Sequence, residues 1–110
     1  MLFLTPMEFF VKALKIENLS REQEKELYLK MKAGDMEARK RIIQSYIKII
    51  ACKIKRQPKE MHSLDLIYRC LDKLEKAVDR FNFLQDGETF NHTICVIMQR
   101  EIITYKCNKL

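Results

Sequence analysis

Two glycines and two prolines are all that 110 residues contain, too few for the repeated turns of a sandwich or barrel, so composition favours a helical fold. Cys52, Cys70, Cys95 and Cys107 lie too far apart in sequence for a disulfide scaffold or a paired zinc knuckle and read as reduced structural thiols. His92 and Cys95 share a helical face, but no second ligand pair accompanies them, so neither metal nor cofactor is expected. Gly-rich phosphate loops, H-E-x-x-H and a nucleophile beside a recognisable base are all missing, and Glu22, Glu24 and Glu26 are spaced to solvate a helix. An enzyme is not expected.

The apolar start, MLFLTPMEFF, lacks a basic leading segment, a long apolar run and a small-residue cleavage site, which fits neither a signal peptide nor a membrane span. A cytoplasmic protein is the expectation. With 47% hydrophobic and 33% charged residues the chain reads as one soluble domain spanning 1–110. Its net charge of +6 permits attraction to phosphate, but the charge reads as modest and spread along the chain.

Helix punctuation is clear. Thr5-Pro6-Met7-Glu8 places a capping threonine, a proline at the first helical position and an acid three residues after the cap, starting a helix that runs to about Lys15. Ser20 and Gln23 form a capping box for a second helix to about Ala33. Gly34 supplies the left-handed stop, and Asp35 caps a third helix from Met36 to about Arg56. Ala38, Ile42, Tyr46, Ile49, Ile50 and Ile54, widened by Ile43 and Ile47, give that helix an apolar face broad enough for neighbours on two sides.

Pro58 closes the segment, and Ser63 caps a fourth helix with Leu66, Ile67, Leu71, Leu74, Ala77, Val78 and Phe81 as its buried stripe. Asp65, Arg69, Asp72, Lys76 and Asp79 occupy its other face at spacings suited to local ion pairs. After a polar loop through Asp86-Gly87, a fifth helix from about Phe90 aligns Ile94, Ile97, Met98, Ile102 and Tyr105. The expected fold is an all-α, single-domain bundle of about five helices.

Several of these segments together resemble region two of bacterial RNA polymerase sigma factors, with sporulation-type members closest. Gly34-Asp35 followed by Ala38-Arg39 resembles the family's GD-x-x-AR step, and Leu19-Ser20 with Glu24-Lys25 resembles the sporulation-type start. Asp65-Leu66-Ile67 matches the DLI that opens the polymerase-binding helix; Leu74, Lys76-Ala77-Val78 and Phe81 match the L-x-KAV-x-x-F that closes it. Glu101-Ile102-Ile103 resembles a late E-I-L stretch. The resemblance covers residues 19–105, with 1–18 as an N-terminal helix and linker, and does not reach a second helix-turn-helix domain.

The resemblance implies transcription through RNA polymerase core, with Asp65, Tyr68, Arg69, Asp72 and Lys76 as the partner-binding set. Tyr68-Arg69-Cys70 departs from the family's Gln-Glu-Gly, turning an acidic position basic and weakening or redirecting that contact. Sigma factors open promoters with aromatic side chains that receive unpaired bases. Phe90 persists, but Thr93, Val96 and Ile97 stand at the usual aromatic positions. Weak promoter DNA contact is therefore expected from Phe90, His92, Gln99, Arg100 and Lys106, with Lys109 adding charge. The basic end of the last helix reads equally as a complement to its own dipole.

These features suit half of a split sigma factor whose upstream-reading helix-turn-helix domain is another polypeptide, or a reduced sigma-like subunit. The alternatives are an interaction module that no longer melts promoters and sequesters a sigma regulator or polymerase surface, and a shortened remnant.

Overall fold

Short-range capping chemistry sets the helix boundaries in the computed structural model, which describes residues 5–84 and 89–109. The loop expected through Asp86 and Gly87 lies outside them, as does the Lys109 side chain. Thr5 Oγ1 accepts the Glu8 amide at the start of α1 (Pro6–Leu14), and Ser20 and Gln23 complete a reciprocal capping box at α2 (Arg21–Lys32). Gly34 has φ +104°, the left-handed backbone that stops α2. Asp35 then accepts the amides of Glu37 and Ala38 to start α3 (Met36–Lys55).

A single 3-10 turn at Lys59–Met61 separates α3 from α4 (Leu64–Arg80), which Ser63 caps through the Leu66 amide. The last helix is α5 (Phe90–Lys109). The chain is an all-α bundle, with no strand among the described residues.

The third helix is the hub and packs against each of the other four. Its apolar face wraps most of its circumference: Ile42, Ile50 and Ile54 are wholly buried, with Ala38, Ile43, Tyr46, Ile47 and Ala51 nearly so. Each fully buried Ile or Leu contributes about 1.5–3 kcal/mol of transfer free energy before entropy is counted. Ser45 reaches the same interior because its hydroxyl donates to the Ile42 carbonyl at 2.7 Å.

On α4 the deep stripe is Leu66, Ile67, Cys70, Leu74 and Val78. The expected Leu71, Ala77 and Phe81 are only partly covered, and Cys70 sits inside instead. Cys70 follows Leu66 and Ile67 by three to four residues and so shares their side of the helix, whereas Leu71 turns toward the edge. Burial, followed by the nearby Glu101 charge, pushes the Cys70 thiol up to about 12. Along α5, Phe90, Ile94, Met98, Ile102 and Tyr105 are buried, with Ile97 half covered.

Candidate partner and nucleic-acid surfaces

Because α4 buries one stripe, the rest of its circumference faces solvent. Asp65, Arg69, Asp72 and Lys76 are exposed there, and Tyr68 is half-buried beside them. The i,i+4 spacing pairs Arg69 with Asp65 at 3.6 Å and Lys76 with Asp72 at 3.0 Å. Arg69 also lies 5.7 Å from the centre of the Tyr105 ring, whose hydroxyl is 2.8 Å from Ser63 Oγ. The candidate partner residues thus occupy one continuous face of balanced charge, joined at one end to α5.

Asp79 departs from local pairing. It receives two hydrogen bonds from Arg39 on α3, Nε to Oδ1 at 2.7 Å and Nη2 to Oδ2 at 3.0 Å. That bond holds the Asp79 carboxyl below its usual range and raises Arg39.

The candidate nucleic-acid residues divide into two groups. His92, Gln99, Arg100 and Lys106 are exposed on α5, whereas Phe90 is only 2% exposed. Its ring packs edge-on against Tyr46 and Phe81, at 4.7 and 5.0 Å between centroids, and lies 5.0 Å from Phe83. With its faces committed to the core, Phe90 is a packing residue and is not positioned to receive a base. Thr93 and Ile97 are half-buried, and Val96 is exposed.

Next to that aromatic cluster, the start of α2, the middle of α3 and the start of α5 enclose an open cavity of about 690 Å³. Glu24 and Tyr46 meet on its wall, the Tyr46 hydroxyl donating a hydrogen bond to Glu24 Oε1. Burial raises the Glu24 carboxyl, opposed by that bond and by Arg21, and burial together with Glu24 raises the Tyr46 phenol. Cys52 and Cys95 also line the cavity, while Lys48, Lys53 and Arg56 add positive charge.

A smaller cleft of about 260 Å³ lies farther along, between the C-terminal halves of α3 and α5. It shares Lys53 and Arg56 with the larger cavity and adds Gln57, Gln99 and Lys106. Lys48, Lys53, Lys55, Arg56, Arg100 and Lys106 form no ion pair with the described residues.

The sequence carried a signal for this concentration that reading the charge as evenly spread passes over. No Asp or Glu occurs between Glu37 and Glu60, a stretch with eight Lys or Arg, namely Arg39, Lys40, Arg41, Lys48, Lys53, Lys55, Arg56 and Lys59. Glu101, the one acid in α5, lies close enough to Cys70 on α4 for its charge to be felt there.

Among the described residues no group of three or more His, Cys, Asp or Glu side chains is placed to hold a metal, and no helix is long and apolar enough to cross a membrane. No family model, curated protein or solved structure matches the chain.

Proposed function

We propose that this chain is a sigma-like, cytoplasmic transcription protein that acts through RNA polymerase core, with α4 toward the polymerase and the α3–α5 side toward promoter DNA. The observation that carries this reading is the separation of charge. On α4 Asp65 pairs with Arg69 and Asp72 with Lys76, whereas Lys48, Lys53, Arg56, Arg100 and Lys106, from α3 and α5, form no ion pair with the described residues.

Unpaired cations suit phosphate because each contact releases condensed counterions. Mixed charge on a helix face suits a protein surface, where complementarity governs orientation and encounter more than raw affinity. The sequence resemblance assigns polymerase contact to α4 and DNA contact to α5. A separate helix-turn-helix protein would supply upstream promoter reading in the split sigma form.

A second reading, an interaction module that sequesters a sigma regulator or a polymerase surface, draws support from two observations. Phe90 is buried, and Met7, Val11 and Leu14 leave an apolar stripe on the outside of α1. Affinity capture with purified RNA polymerase core, with and without a promoter fragment, tests the first reading. A stable complex that acquires DNA supports it, while polymerase capture without DNA favours the second. Failure to bind polymerase overturns the first reading.

A further inference from the structure

The smaller α3–α5 cleft brings together Lys53, Arg56 and Lys106 with the amide side chains of Gln57 and Gln99, and no carboxylate lines it. The three cations come from two helices, so their convergence depends on the tertiary fold. They form no ion pair with the described residues. Arg39, Arg69 and Lys76, in contrast, each have a carboxylate within 4 Å.

We propose that this cleft is a phosphate-binding site. Lys53, Arg56 and Lys106 supply charge from two helices, and Gln57 and Gln99 supply side-chain amide donors beside them. A planar guanidinium and two ammonium groups match the tetrahedral oxygens of a phosphoryl group, and charge-assisted N–H···O bonds are about twice as strong as neutral ones. Ile102 and Ile103 line the rest of the cleft. The site deepens the nucleic-acid side of the proposed function and rests on that reading only for the source of the phosphate, which is either one unit of a strand or a free phosphorylated compound.

The test is titration of the isotopically labelled chain with inorganic pyrophosphate at low salt, followed by backbone amide NMR. Saturable shifts are expected around residues 53–57 and 99–106, and Lys53→Gln/Arg56→Gln is expected to weaken binding about tenfold or more. The charge-matched Lys55→Gln/Lys59→Gln variant, altered outside the cleft, should bind as the parent does. Circular dichroism checks each fold, and Lys106→Gln approaches the cleft from the other helix.

Equal weakening by both double variants, or shifts scattered over all cationic surfaces without saturation, would overturn the site. A parallel titration with single-stranded DNA separates the two sources. Strand binding lost in the cleft variants supports the site and identifies a strand phosphate. Saturable pyrophosphate binding without strand binding supports the site while removing the nucleic-acid reading.

Discussion

Arg39 grips Asp79 through two parallel hydrogen bonds and so fastens the first turns of α3 to the end of α4. The helices that carry the two candidate surfaces are thereby joined by a polar clamp as well as by apolar packing. Asp79→Asn should cost about 0.5–1 kcal/mol, the upper part of the range for exposed pairs, because the bond is bidentate while Asp79 is half exposed. The Asp79 carboxyl is held low when folded. Its stabilisation is therefore present above the unfolded carboxyl value and is lost as pH falls through the folded one. Urea unfolding of parent and variant should differ at neutral pH and converge in acid.

Glu24 should show the opposite sign. Burial raises its folded carboxyl, so the contribution of this group is complete below the unfolded value and is lost as pH rises through the folded one. Glu24→Gln keeps an oxygen for the Tyr46 hydroxyl and removes the buried charge. It should be at least as stable as the parent at neutral pH, with the difference vanishing in acid. Tyr46→Phe, which deletes the donor and leaves the carboxylate half-buried, should cost about 1–2 kcal/mol at neutral pH. Paired urea titrations across pH would read both effects.

Gly34→Ala tests backbone geometry apart from packing. A Cβ there meets nothing within 4 Å, but φ is +104°. The cost, about 1–2 kcal/mol, should come from the backbone alone. Thermal unfolding should show a lower midpoint with unchanged far-ultraviolet dichroism below it. An unaltered midpoint would mean that the turn rearranges without penalty.

Capping chemistry made the helix boundaries legible because each cap acts within four residues: Thr5, Ser20, Asp35 and Ser63 all accept the amides their positions imply. The broad apolar face of α3 likewise announced its central place. Pairings across the fold were another matter. Asp79 looked like a partner for its own helix, and only the packing of α3 on α4 brings Arg39 to it. Helical spacing cannot say whether an aromatic residue at a helix start points inward, so Phe90 read as a base receptor although Tyr46, Phe81 and Phe83 surround it. The cleft residues Lys53, Arg56 and Gln57 went unnoticed because they converge with Gln99 and Lys106 only after folding. The acid-free run through α3 was the available clue.

On α4, Asp65→Ala with Arg69→Ala should weaken capture of RNA polymerase core while leaving the bundle folded, since both side chains are exposed and Leu66, Ile67 and Leu74 remain packed. Rim charges contribute about 0.2–1 kcal/mol each, so a roughly two- to thirtyfold loss is expected. Loss of the Arg69 contact with the Tyr105 ring should be felt locally at the end of α5. Equal capture by the folded double variant would remove this face from the polymerase contact.

Binding to single-stranded promoter DNA should be weak, should fall steeply with salt and should depend little on sequence. The cations of α3 and α5 would attract phosphate under the proposed function, but Phe90 is committed to the core and Thr93, Val96 and Ile97 offer no ring on which a base can stack. Arg100→Ala with Lys106→Ala removes two exposed cations. If each contacts one phosphate, the slope of log affinity against log salt should shrink by about 1.4, from about 0.7 per contact on a single strand. Titration of matched and scrambled strands at several salt concentrations would measure both quantities. A strong preference for the matched strand that persists at high salt would mean that α5 reads bases despite its missing aromatics, and would require Phe90 to leave its packed position when DNA binds.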